Sequence, residues 1–253
     1  MIDLHSHLLP GLDDGSPDLD AAIALAREAV SNGVTVMAAT PHLRADYPAI
    51  QVADLASHVG VLQAALNAAD VGLRVVSGGE VDVLWAQSAS DDDLRLASYG
   101  GRGTDLLVET PYGELPPIFE DLLFKIRVRG FRVLLAHPER NRSFQQDPAR
   151  LLRLVDGDVL VQVTAASVVG GGRAGKLAQR LIAAGHAHVI AGDLHRAAGG
   201  RASLREAVAA VDPARGEWMT SAVPAAILEG RPLPPAPFAD EPPRRRGWFR
   251  RAS

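Results

Sequence analysis

Seven short apolar runs, separated by stretches of helical period, constrain this chain more than any other feature. They occupy residues 2–5, 35–40, 74–78, 105–110, 132–136, 159–163 and 188–192. Rich in Val, Leu and Ala and apolar on both faces, they suit strands of a buried parallel sheet. The intervening stretches carry recognisable helix ends. Ser16-Pro17 opens the first, with Asp18 and Asp20 in its first turn and Asn32-Gly33 closing it. Leu19, Ile23, Ala26 and Val30 then share one face. A second helix is expected over 49–69. Asp147-Pro148 and the capping box Ser203-Leu204-Arg205-Glu206 open two more. Gly130 and Gly185 end two others, each just before a strand. This alternation predicts an α/β fold, a distorted seven-stranded (β/α) TIM-like barrel with its active site at the C-terminal ends of the strands. The 253 residues suit one such barrel. Residues 1–232 are expected to form it. From 233 to 253, prolines lead into Arg244-Arg245-Arg246-Gly247-Trp248-Phe249-Arg250-Arg251, a composition expected to give a flexible tail with weak membrane or partner contact.

Residues that do chemistry in a parallel barrel sit where strands end and loops begin. The first run ends in His5-Ser6-His7, with Asp13-Asp14 in the loop behind it. The second ends in Thr40-Pro41-His42, the third in Gly78-Gly79-Glu80 and the fourth in Val108-Glu109. The fifth ends in Ala136-His137-Pro138-Glu139-Arg140 and the seventh in Gly192-Asp193-Leu194-His195. The sixth offers only Gln162 and Thr164. A single strand-end histidine is more often a hydrogen-bonded structural residue than a ligand. Six of seven ends carrying His or carboxylate is a different matter. Alternate strand residues face one side, so His5 and His7 can reach the same ion. Burying that many charges and imidazoles together without a metal would leave charge uncompensated.

Composition narrows the chemistry. There is no cysteine, so disulfides, thiolate zinc sites and cysteine nucleophiles are excluded. A net charge of -4 offers no pull toward nucleic acid. No run of about 18 apolar residues is present, so no membrane span is expected. The first residues lack the basic and apolar regions of a signal peptide, which makes the cytoplasm the expected location.

Taken in order, His5-Ser6-His7-Leu8-Leu9-Pro10-Gly11-Leu12-Asp13-Asp14-Gly15, Thr40-Pro41-His42, Gly79-Glu80, Ala136-His137-Pro138-Glu139-Arg140-Asn141 and Gly192-Asp193-Leu194-His195 resemble the polymerase-and-histidinol-phosphatase (PHP) superfamily. Within it, the first run and the stretch 136–141 are similar to the bacterial capsule-type (CpsB/CapC) tyrosine-protein phosphatases, over roughly residues 1–232. The resemblance implies three divalent ions, usually manganese, with Fe, Zn or Co also accepted by such ligands. It implies that His5, His7, Glu80 and Asp193 hold one ion. Glu80 would bridge to a second, completed by Glu109 and His137, and Asp14, His42 and His195 would hold the third. It implies a protein-tyrosine phosphatase acting on a bacterial tyrosine kinase that controls capsule or exopolysaccharide synthesis. Four places depart from the pattern: Gly192 stands where serine is common, Leu194 where a small residue is usual, Glu80-Val81-Asp82-Val83-Leu84 lacks the basic residue often found after the bridging Glu, and Thr110-Pro111-Tyr112 replaces the more usual aromatic-proline pairing.

Arg140, three residues after His137, can grip phosphate in bidentate fashion, or it can pair with Glu139 or Asp147 at the surface. The family's second arginine matches Arg201, with Arg196 next in line. Tyr47, Tyr112 and Phe144 are candidates for the rim of a tyrosine crevice. A small-molecule phosphatase, such as one for histidinol phosphate, is the other phosphoesterase reading. A metal-dependent amidohydrolase fits less well, because Lys125 and Lys176 are the only lysines and neither ends a strand. A scaffold with structural metals is the non-catalytic alternative.

Overall fold

Each of the seven apolar runs contains a strand, and the reason is visible in their burial. The strands Asp105–Glu109 and Leu160–Thr164 are buried at every residue, which only a sheet covered on both faces provides. The computed structural model describes residues 1–197 and 202–237. The strands are β1 (Ile2–Asp3), β2 (Val36–Ala39), β3 (His42–Leu43), β4 (Arg74–Ser77), β5 (Glu80–Asp82), β6 (Asp105–Glu109), β7 (Arg132–Ala136), β8 (Leu160–Thr164) and β9 (Val189–Ala191). They form two parallel sheets, in the orders β1-β2-β4 and β3-β5-β6-β7-β8-β9.

Two of these strands, β3 and β5, were not expected from the seven runs. The chain jogs between β2 and β3 at Thr40-Pro41, where proline has no N–H for the ladder. It jogs again between β4 and β5 at Gly78-Gly79, where a Cβ at Gly79 would lie 2.4 Å from Leu43 Cδ1. Each jog moves a strand end from one sheet to the other. The backbone stays connected across the break: Thr40 N donates to Ser6 O at 2.8 Å and Glu80 N to Pro41 O at 3.0 Å. At the far side, His7 N donates to Leu194 O (2.8 Å) and Asp193 N to His5 O (2.9 Å), tying the segment after β1 to the segment after β9.

The helices lie between strands as expected, with their ends adjusted. Asp18 is the N-cap of Leu19–Ser31 rather than a first-turn residue, its side chain accepting from Ala21 N. The helix expected over 49–69 starts as a 3-10 turn, Val52–Asp54, and continues as Leu55–Ala68. Ser203 forms the anticipated capping box with Glu206. Gly130 and Gly185 take positive φ after Phe119–Val128 and Gly172–Ala183. Beyond residue 232, Leu233 and Ala236 still pack on the core, and Trp218 Nε1 donates to Pro234 O at 3.1 Å. Arg201 and the basic stretch 244–251 lie outside the described residues. Among the described residues no helix is long and apolar enough to cross a membrane.

Candidate metal centre

The chain turns sharply where β7 and β9 end. His137 and Asp193 both adopt left-handed backbone, with φ of 32° and 50°. Residues other than glycine seldom take this conformation without support from their surroundings. Here it points both side chains back over the strand ends.

They meet there with side chains from the segment after β1 and from β3, β5 and β6. Glu80 is fully buried and is the hub. Its Oε1 lies 2.9 Å from His137 Nε2. Its Oε2 lies 3.0 Å from His42 Nδ1, 3.2 Å from His5 Nε2 and 3.4 Å from His7 Nε2. Asp193 Oδ1 is 3.4 Å from both His5 Nε2 and His7 Nε2. Asp14, half exposed, reaches His195 Nε2 at 3.4 Å and His42 Nε2 at 3.6 Å. Glu109 Oε2 lies 3.6 Å from His42 Nδ1. All nine expected residues therefore converge on one place.

Among the described residues, four groupings have ligand atoms within 4.8 Å of one another. They are His7-Asp14-His42-His195, His5-His137-Asp193, His5-His7-Glu80 and His42-Glu80-Glu109. The first contains the expected set Asp14, His42 and His195, with His7 added. His42 belongs to two groupings and stands with Glu80 and Glu109 where His137 was expected, while His137 groups with His5 and Asp193.

A divalent ion fits this arrangement on two counts. His5 Nε2, His7 Nε2, His42 Nδ1 and Glu80 Oε2 are buried without a hydrogen-bond partner. Buried polar atoms are normally satisfied, so four convergent orphans mark a place for a cation. The opposite edges of two rings are fixed. His5 donates from Nδ1 to Gln162 Oε1 (3.0 Å) and His7 from Nδ1 to Asp13 Oδ2 (2.7 Å), which aims each Nε2 lone pair into the cluster.

The electrostatics agree. Burial alone would push the His5 imidazole down, but Glu80 and Asp193 outweigh it and hold His5 up at about 9. His7 is likewise raised in spite of burial, through Asp13, Asp193 and Glu80. Glu80 is buried, which would raise it, yet His5 and the other imidazoles keep it well below the carboxylate range. The carboxylates thus favour positive charge at His5 and His7, the charge a bound metal ion would supply in place of protons.

Asp13 was read as a loop neighbour of Asp14, and its role was not apparent from the sequence. Besides His7, it accepts from Gly15 N (3.0 Å) and His42 N (3.1 Å). Gly15 must be glycine, since a Cβ there would stand 2.1 Å from His7 O. Asp13→Asn is expected to weaken metal affinity about 10–100-fold, the usual effect of losing a partner behind a metal-binding histidine. Competition against a chromogenic chelator measures it, and unchanged affinity would remove Asp13 from this role.

The two departures at 192 and 194 explain one another. A Cβ on Gly192 would lie 2.7 Å from Leu194 Cγ and 2.5 Å from Asp3 Oδ2. Asp3 is fully buried and accepts from His5 N and Gly192 N, joining the two ligand-bearing segments. A side chain at 192 would press on both Asp3 and Leu194, which glycine avoids.

The arginines divide. Arg140 pairs with neither Glu139 nor Asp147. Its Nη1 donates to Asp193 Oδ2, with about half of the side chain exposed at the mouth. Glu139 turns inward instead and accepts from Thr164 N (3.0 Å) and Thr164 Oγ1 (3.1 Å). Arg196 is exposed. Arg44 was not anticipated: Nη1 donates to Glu109 Oε2 at 2.7 Å, beside the cluster. Of the expected rim residues, Tyr47 stacks on His42 with ring centroids 5.3 Å apart, and Tyr112 is 66% exposed. Phe144 is not at the rim. It is fully buried, edge-on to Phe119.

The comparisons with known proteins agree with this geometry. The family model for capsular polysaccharide synthesis, CpsB/CapC, matches residues 1–225. Tyrosine-protein phosphatase YwqE of Bacillus subtilis (strain 168) is 31% identical over 197 residues, 77% of each chain. CapC of Staphylococcus aureus is 29% identical over 202 residues, again 77% of each. A solved structure from a study of YwqE from Bacillus subtilis and CpsB from Streptococcus pneumoniae, described as unique metal-dependent tyrosine phosphatases, superposes with a TM-score of 0.81. It is 28% identical, and the match covers 92% of this chain and 96% of that one. With the model matched over almost the whole described chain, this protein belongs to the CpsB/CapC family of capsular polysaccharide synthesis.

Proposed function

We infer that this protein is a metal-dependent protein-tyrosine phosphatase of capsule or exopolysaccharide synthesis. The observation that carries the reading is the set of four buried, unpartnered ligand atoms on His5, His7, His42 and Glu80, in a chain whose relatives are tyrosine phosphatases. The proposed ligand sets are His5, His7, Glu80 and Asp193 for one ion, Glu80, Glu109 and His137 for a second, and Asp14, His42 and His195 for a third. Manganese is the proposed metal. Divalent ions held there supply Lewis-acid activation of water and of the phosphoryl group at neutral pH.

The chain's own residues do the rest. Asp13 and Gln162 hold His7 and His5 in the tautomer and orientation that binding needs. Arg140 stands at the mouth with a guanidinium edge free to take two phosphoryl oxygens while Nη1 stays near Asp193. A phenol leaves with a pKa of about 10, so little proton donation to the leaving group is required. Nothing in this scheme needs a cysteine.

The same reading takes the two sheets as one distorted seven-stranded barrel. The bonds from His7 N to Leu194 O and from Asp193 N to His5 O support it. It takes residues 1–232 as the catalytic domain and 233–253 as a C-terminal extension whose first residues, through Leu233 and Ala236, rest on that domain, a bacterial tyrosine kinase as the phosphoprotein substrate, and the cytoplasm as the location.

Phosphate release from a phosphotyrosine peptide, a phosphoserine peptide and histidinol phosphate tests the substrate. With manganese supplied, the phosphotyrosine peptide is expected to be turned over fastest. Faster release from histidinol phosphate would keep the site and move the function to small-molecule metabolism.

A further inference from the structure

The cluster has two unlike flanks. At the Asp193 end lies a cavity of about 290 Å³ lined by Arg140, Thr164, Ser167, Gly171 and Gly175, with no aromatic side chain among the described residues of its wall. At the Glu109 end stand Arg44, Tyr112 and Tyr47.

Arg44 is held from several directions. Its side chain is only 10% exposed, with Nη1 on Glu109 and Nε on Asp46 Oδ1 at 2.8 Å. The guanidinium carbon lies 3.7 Å from the centre of the Tyr112 ring. Tyr112, between Pro111 and the positive-φ Gly113 (86°), therefore rests one face on a fixed cation. Its other face is open, since the residue is 66% exposed. Three residues beyond Glu109, this large aromatic ring packs on Arg44 and leaves most of its surface to solvent. The cation beneath draws density from the ring, which favours stacking of an electron-rich arene on the open face.

We propose that Arg44 and Tyr112 form the leaving-group platform of the site, on which the substrate's aryl ring stacks, setting a preference for aryl over alkyl phosphates. The inference rests on the phosphatase reading above and adds a specificity determinant to it. Tyr112 is the binding face, and Arg44 is a positioning residue that acts through it. Tyr47 stands at the same end, stacked on His42.

The test uses the full chain loaded with manganese, as wild type, Tyr112→Ala and Tyr112→Phe. Because Arg44 also touches Glu109, Tyr112 is the cleaner position to change. kcat/KM is measured for phenyl phosphate and for glycerol phosphate, and binding of phenylphosphonate and methylphosphonate is measured by calorimetry. Tyr112→Ala is expected to lower the aryl-to-alkyl ratio of kcat/KM by about threefold to tenfold, mainly through KM, the range of an offset aromatic pair. Tyr112→Phe should keep the wild-type ratio. A ratio unchanged in Tyr112→Ala, or equal loss on both esters, overturns the platform. If the wild type hydrolyses neither ester, the phosphatase reading fails and calorimetry decides the platform. A preference for phenylphosphonate that is lost in Tyr112→Ala supports it, and no such preference overturns it.

Discussion

Glu80→Gln is expected to lower kcat/KM on a phosphotyrosine peptide by about a thousandfold or more. The figure follows from position: losing a partner behind a ligand costs about 10–100-fold, and Glu80 is itself central to the cluster. Its two oxygens face four imidazoles, those of His5, His7, His42 and His137. Glutamine keeps the size and replaces one oxygen with an N–H donor that no cation accepts. The negative charge that holds the imidazoles in place is lost as well. Activity is measured beside bound metal and thermal melting, so that a folded, metal-poor and inactive protein is the expected combination. A folded variant with wild-type metal and wild-type activity would remove Glu80 from the centre of the site.

Arg140→Ala should give the opposite combination, with kcat/KM lower by about a hundredfold to a thousandfold and bound metal unchanged. Removing one preorganised donor that faces developing transition-state charge has effects of this size. Arg140 is exposed enough to reach a substrate, and its partner Asp193 remains surrounded by His5 and His7. Arg140→Lys is expected to recover only part of the loss, because an ammonium lacks the planar fork that matches two phosphoryl oxygens. If Arg140→Ala lost metal in step with activity, the arginine would be holding Asp193 rather than phosphate.

Much of the candidate cluster was legible in the sequence because strand ends and their residue types coincide. His5 and His7 lie two apart, and the DxH of Asp193 and His195 repeats that spacing at the other end of the chain. What failed to show was whatever depends on the path between strands. Nothing local reveals that Thr40-Pro41 and Gly78-Gly79 carry strand ends from one sheet to another. Arg44 follows the short strand β3 and gains its role only because β6 brings Glu109 alongside. Glu139 and Arg140 are neighbours that looked like a pair. The left-handed turn at His137, followed by the 3-10 turn Pro138–Arg140, sends Glu139 inward to Thr164 and Arg140 outward over Asp193. Phe144 has the composition of a rim residue, yet Phe119 claims its ring for the core.

The central claim is that the histidine–carboxylate cluster holds the ions that make this chain a phosphatase. The most direct measurement is a manganese titration of the metal-stripped protein, with bound metal and phosphate release from a phosphotyrosine peptide read in the same samples. No release is expected without metal, activity should rise as the cluster fills, and both should be lost in Glu80→Gln. Full activity in the stripped protein, or metal that binds equally well to Glu80→Gln, would contradict it.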